Sequence, residues 1–186
     1  MQEPLNKLEP LILWGGTDID PSIYNQKPLK WTQKPDLARD KKELEQLDVA
    51  RFEDRPIIGV CRGAQLITAW IDGGELYQHV ELQPMTTIDI TTNGGHKYRA
   101  KVDHHQVMIP SSEGTVLAFQ ILDKPVKAWI SDTEYDLIKF IPMVVYYPVY
   151  KAIAIQPHPE WMNPDDPFVE WINSVIKTLL GVNKCF

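Results

Sequence analysis

Strand–helix alternation in the first seventy residues, a strand-rich middle and one strongly amphipathic segment at the end predict an α/β sheet with an antiparallel annex. The first element is Leu11-Ile12-Leu13-Trp14, an apolar run stopped by Gly15-Gly16, which reads as a buried strand ending in a tight turn. Pro21, Pro28 and Pro35 then punctuate an irregular loop. Over residues 36–52, Leu37, Leu44, Leu47 and Phe52 recur among charges, the pattern of an amphipathic helix, with the acidic and lysine-rich stretch 36–45 as its solvated face. Arg55-Pro56 breaks it. Ile57-Ile58-Gly59-Val60 is a second buried strand with Cys61 at its end, and residues 62–71 form a helix closed by Asp72-Gly73-Gly74.

The middle changes character. Residues 76–80, 86–92, 97–102 and 115–121 are β-rich pieces, separated by Asn93-Gly94-Gly95 and Ser111-Ser112-Glu113-Gly114. Further strands are expected over 128–131, 143–147 and 151–155. At the C-terminus Asp166 caps a helix and Pro167 takes its first turn. Phe168, Val169, Ile172, Val175, Ile176, Leu179 and Leu180 make one apolar stripe, and Gly181 ends it.

Composition narrows the function. A chain of 186 residues, 44% hydrophobic and 24% charged, is a globular sequence and is expected to form one domain over 1–186. It is long enough to bury about 70% of its unfolded surface. The net charge of −6, with no basic run, argues against nucleic acid and against an anionic membrane surface. The longest apolar run, 140–150, contains Pro142 and Pro148 and is too short to span a bilayer, and Met1-Gln2-Glu3 is not the start of a secretory signal. Two cysteines, Cys61 and Cys185, fit a reducing compartment, so a cytoplasmic location is expected. Cys185 reads as frayed and inert.

Chemistry concentrates at Gly59-Val60-Cys61-Arg62-Gly63-Ala64-Gln65. A nucleophile at the sharp turn between strand and helix is held exposed by backbone that flanking glycines permit. The helix amides are expected to lower the Cys61 thiol pKa, and the Arg62 amide to donate to an oxyanion. The alternative is a small buried cysteine at a strand end. A thiol nucleophile needs a base and the base an orienting group. Among His79, His96, His104, His105 and His158, only His158 supplies one locally, in Gln156-Pro157-His158-Pro159-Glu160. His104 and His105 beside Asp103 are adjacent and point to opposite faces, which argues against one ion holding both; no metal and no cofactor are expected. Trp161, following Glu160, reads either as a pocket wall or as a packing residue.

Taken together, the elbow and His158-Pro159-Glu160 resemble the class I glutamine amidotransferase-like superfamily with its Cys-His-Glu triad. Gly15-Gly16-Thr17-Asp18-Ile19-Asp20-Pro21-Ser22-Ile23-Tyr24 resembles the GGxDIxPxxY turn of its γ-glutamyl-amide hydrolase branch, which includes γ-glutamyl-GABA and γ-glutamyl-polyamine hydrolases. Cys61-Arg62-Gly63-Ala64-Gln65, Gly73-Gly74-Glu75-Leu76-Tyr77-Gln78 and His104-His105-Gln106 are similar to that branch's CRGxQ, GGxLyQ and HHQ segments, in family order. The resemblance implies a flavodoxin-like three-layer sandwich. It also implies that Cys61 attacks a γ-glutamyl carbonyl to form a thioester, that His158 transfers protons, and that Glu160 orients His158. The backbones of Gly16 and Arg62 would form the oxyanion hole, with Gln65, His105 and Gln106 as substrate contacts.

Two departures from the family pattern stand out. Only ten residues precede Leu11, where the family places a strand, a helix and a second strand. The sheet is therefore expected to be N-terminally shortened, with a homodimer partner hiding its edge or the patch beneath it. The segment before His104-His105-Gln106 reads Lys101-Val102-Asp103 where the family has Asn-Ser-x, and Asp103 would favour a cationic leaving group. The leading function is a cysteine-dependent hydrolase of γ-glutamyl amides that releases glutamate and an amine or ammonia. One alternative is a glutaminase subunit that supplies ammonia to a separate synthetase, and another is a non-catalytic binding relative.

Overall fold

The computed structural model describes residues 9–82 and 86–186. In chain order its elements are β1 (Leu11–Leu13), α1 (Leu37–Phe52), β2 (Ile57–Val60), α2 (Arg62–Trp70), β3 (Glu75–Tyr77), β4 (His79–Val80), β5 (Thr86–Thr92), β6 (Lys97–Val102), β7 (Val107–Ile109), β8 (Thr115–Trp129), β9 (Tyr135–Tyr147), β10 (Ala152–Ile155) and α3 (Pro167–Leu180). The main sheet runs β1-β2-β10-β9-β8-β5-β6, with β4 paired to β8, while β3 and β7 form a separate two-stranded ladder. β1, β2 and β10 are parallel; β9, β8, β5 and β6 continue the sheet antiparallel. The predicted α/β sheet with an antiparallel annex is thus one curled mixed sheet.

Alternation along the parallel strands divides the core into two layers. Ile57, Ala152 and Ala154 face Leu47 and Ala50 of α1 and Ala64 and Ile67 of α2. Ile58, Ile153 and Ile155 face Phe168, Ile172 and Ile176 of α3. Alanines on the α2 side leave room for that helix to lie close to the strands, and isoleucines on the other side fill the space under α3. The result is the flavodoxin-like three-layer sandwich, with helices on both faces of the sheet.

α3 begins at the Asp166 cap, whose carboxylate accepts from the Phe168 amide, and ends at Gly181 in the left-handed conformation. The chain end is pinned rather than frayed. Asn173 Oδ1 accepts from the amides of Cys185 and Phe186, so the Cys185 expectation is overturned in its structural part. Three other expectations change. The strands expected over 115–121 and 128–131 merge into one, β8, which ends at Trp129, because its pairing with β9 resumes after a bulge between Ile121 and Val126. Residues 76–80 divide between β3 and β4, which pair with different partners. Residues 143–147 are only the end of the long β9.

Candidate active site

Three elements meet at Cys61. It lies between β2 and α2 with φ 51° and ψ −108°, a left-handed turn that a non-glycine residue adopts only under constraint. Its amide donates to Ile155 O at 2.8 Å and its carbonyl accepts from Gln65 N at 3.1 Å. The flanking glycines serve close approach. A Cβ at Gly59 would stand 2.5 Å from the carbonyl carbon and oxygen of Gly63, and one at Gly63 would collide with the Leu13 carbonyl. β1, β2 and the first turn of α2 therefore touch backbone to backbone.

His158 follows β10, and its amide donates to Lys101 O at 2.8 Å, which ties the turn to β6. Its Nδ1 lies 2.7 Å from Glu160 Oε1. The carboxylate accepts, so Nδ1 carries the proton and Nε2 is left as a base. Trp161 stacks on the imidazole with centroids 3.5 Å apart and planes 1° off parallel. Of the two readings of Trp161, the wall is therefore realised. Gly15 closes the group, since a Cβ there would lie 3.0 Å from His158 Cε1 and 3.6 Å from Cys61 Cβ. Cys61, His158, Glu160, Trp14 and Trp161 line one cavity of about 490 Å³.

The resting thiol differs from expectation. Cys61 is 5% exposed, its Sγ lies 3.7 Å from Asp103 O, and burial pushes its pKa up to about 12. The Arg62 amide pulls the other way, as expected of a helix N-terminus, but does not outweigh burial, and the negative charges of Glu160, Asp103 and Asp18 add to the rise. Burial thus favours the thiol of Cys61 over the thiolate.

A second cavity, of about 390 Å³, also reaches Cys61 and shares Gly16, Gln33 and Asp103 with the first. Gln65, His105 and Gln106, the three expected substrate contacts, all line it, as does Gly16. Gln65 Nε2 donates to Gln106 O at 3.3 Å and to Gln156 Oε1 at 3.4 Å. Among the described residues, neither end of the buried Gln106 amide completes a well-formed hydrogen bond, although the Tyr24 hydroxyl lies beside it. His104 and His105 do not diverge as a strand pair would, because residues 103–106 are irregular; both line this cavity. His104 Nδ1 bonds Gln106 O at 2.8 Å, and burial pushes its pKa down to about 4.

Sequence reasoning missed several residues here. Asp18 Oδ2 accepts from Gln33 N at 2.7 Å and stands 3.2 Å from His105 Nε2, an ion-pair distance without hydrogen-bond alignment. His105 Nδ1 is 3.3 Å from His79 Nδ1, and His79 stacks on Trp31 at 4.5 Å. The His79 pKa is lowered, first by burial and then by His105. The largest miss is a charge network under the elbow. The Arg62 guanidinium, 2% exposed, is ion-paired to Asp40 and Glu43 of α1. Asp40, fully buried, also accepts from Asp20 N at 2.8 Å. The stretch 36–45 is therefore not simply a solvated face. Asp40, Leu44 and Leu47 at i, i+4 and i+7 share one helical stripe, and that spacing was the available signal.

Comparison with known proteins finds glutamine amidotransferase-like relatives. A Mycobacterium tuberculosis protein named "Putative glutamine amidotransferase" is 36% identical over 93 residues, covering 50% of this chain and 28% of that protein. Protein NtpR of Enterococcus hirae is 34% identical over 181 residues, covering 96% of this chain and 66% of that protein. The chain thus spans less than two thirds of the length of these relatives. A glutamine amidotransferase structure from Thermotoga maritima superposes with a TM-score of 0.56 at 14% identity, covering 97% of this chain and 77% of that one, which establishes a shared fold. Residues 1–128 match the peptidase C26 family, and the chain belongs to that family, within the class I glutamine amidotransferase superfamily.

Proposed function

We propose that this protein is a cysteine-dependent hydrolase of γ-glutamyl amide bonds. The observation that carries the reading is the convergence of the elbow thiol of Cys61 with the Glu160-oriented imidazole of His158 on one cavity, beside a second cavity walled by buried amides. The glutamyl end of the substrate lies toward Gln65, His105 and Gln106, and the scissile carbonyl lies over Cys61. His158 Nε2 takes the thiol proton as Sγ forms its bond to the γ-carbon, so attack does not depend on a preformed thiolate. Negative charge on the carbonyl oxygen is met by the amides of Gly16 and Arg62. Collapse of the intermediate breaks the C–N bond, and His158 delivers its proton to the departing amine or ammonia. Water then adds to the γ-glutamyl thioester with His158 as base, releasing glutamate and restoring the thiol. No cofactor takes part.

The experiment is glutamate release from glutamine and from a panel of γ-glutamyl amines, with Cys61→Ala as control. Rapid turnover of one γ-glutamyl amine, lost in the variant, is the expected result. Slow turnover of glutamine alone points instead to a subunit that hands ammonia to a synthetase. Absence of Cys61-dependent turnover of every panel member contradicts the hydrolase. β1 lies at one end of the sheet order, the edge on which a homodimer partner is proposed, and sedimentation as a monomer at high concentration contradicts that pairing.

A further inference from the structure

The proposed oxyanion hole has two amides on different elements: Gly16 after β1 and Arg62 at the start of α2. Nothing in the strand register itself fixes how the Gly15–Gly16 peptide is turned. The loop after β1 is not hydrogen-bonded as a strand, and glycine backbone rotates freely. What holds it is a side chain from α1. Arg39 Nη2 donates to Trp14 O at 3.1 Å and to Gly15 O at 3.3 Å. The same guanidinium lies directly beneath Gly16, where any Cβ would collide with it, and Arg62 Cδ would stand 3.2 Å from that Cβ.

A trans peptide is planar, so its C=O and N–H point in opposite directions. Drawing the Gly15 carbonyl onto Arg39 turns the Gly16 amide away from α1, toward the side where Gly15 faces Cys61 and His158. Arg39 is itself held. Its Nε donates to Glu43 Oε1 at 2.8 Å, while Glu43 Oε2 is paired with Arg62, the residue that carries the other amide. Asp40, adjacent to Arg39 on α1, completes the arrangement by pairing with Arg62. Two cations and two carboxylates balance, so the network adds no net charge beneath an oxyanion while it ties both donors to one helix.

We infer that Arg39 is a positioning residue for the oxyanion hole: through the Trp14 and Gly15 carbonyls it sets the direction of the Gly16 amide, and through Glu43 it is coupled to the Arg62 amide. The inference rests on the proposed acyl-transfer chemistry at Cys61. It goes beyond that chemistry in assigning a surface-reaching arginine of another element to transition-state geometry.

The test compares two reactions of the same sulfur. Acylation of Cys61 by p-nitrophenyl acetate passes through an oxyanion, whereas alkylation by iodoacetamide does not. In Arg39→Met, acylation falls about tenfold to a hundredfold relative to alkylation. Alkylation itself stays near the wild-type rate, and Arg39→Lys recovers part of the loss. Because Arg39 is one third exposed, the variant is expected to fold, and a melting curve checks it. Equal losses in both reactions, or no loss in either, overturn the positioning role and leave the hydrolase reading standing. A wild-type Cys61 that is alkylated but not acylated overturns the oxyanion hole itself, and both proposals with it.

Discussion

Replacing Gly59 with alanine adds one methyl group at the place where the site's three elements touch. Its Cβ would lie 2.5 Å from the carbonyl carbon and oxygen of Gly63 and 2.6 Å from Ile67 Cδ1. The isoleucine methyl can rotate aside, but the Gly63 carbonyl is backbone in the first turn of α2 and cannot. Ordinary contact begins at 3.4 Å, so β2 and α2 must part by about 0.9 Å. Overpacking of this kind costs about 1–3 kcal/mol. At about 2–4 °C per kcal/mol for a chain of this size, the melting temperature drops by about 2–12 °C. Cys61 sits between the two displaced elements, and a misplacement near 1 Å costs up to about a hundredfold in rate. Calorimetry and Cys61 acylation by p-nitrophenyl acetate measure the two effects side by side. Gly95→Ala is the control. Gly95 has φ 80° and open space around it, so alanine there is strained without touching the elbow and lowers stability while leaving acylation alone. A Gly59→Ala protein with wild-type melting and wild-type acylation refutes the packing argument.

Glu160→Gln replaces an acceptor-only carboxylate with an amide that can also donate, so the His158 tautomer is no longer fixed, and kcat for amide hydrolysis falls at least about 10²-fold with KM little changed; a fall under about threefold contradicts the orienting role. His104 is held neutral by burial, with its pKa pushed from 6.5 down to about 4. Its contribution to stability is therefore complete above pH 6.5 and is lost as pH falls toward 4, about 3 kcal/mol over that window. Urea unfolding of His104→Asn across the same window shows a shallower acid loss than wild type, and parallel curves contradict it. At the alkaline end Cys61 behaves in the opposite sense. Its pKa is raised from 9.0 to about 12, so stability is full below pH 9 and declines as pH rises toward 12. Cys61→Ala flattens that decline, and an unchanged slope contradicts the buried thiol.

Sequence signals were strongest where local chemistry and tertiary packing agree. α3 was readable to the residue because cap, first-turn proline, apolar stripe and terminal glycine all act within the helix. The elbow and His158-Pro159-Glu160 were readable for a similar reason, each being a short segment whose backbone constraints are local. Misses occurred where distant partners decide. Asp123, Lys124 and Pro125 look like a break, yet pairing with β9 on both sides of them makes β8 one strand. β7 has only three residues and exists through β3, more than thirty residues earlier. The burial of Asp40 depends on Arg62, and the height of the Cys61 pKa depends on how much of the chain closes over the sulfur. Neither quantity is a property of a segment.

The central claim is that Cys61 carries the γ-glutamyl group in a thioester during turnover. Acid quenching of the protein with its best γ-glutamyl amide substrate, followed by peptide mass spectrometry, tests this most directly. The account predicts a γ-glutamyl adduct on the peptide bearing Cys61, discharged by hydroxylamine and accumulating in Glu160→Gln if deacylation is slowed more than acylation. Steady glutamate release with an unmodified Cys61, or an adduct on any other residue, would contradict it.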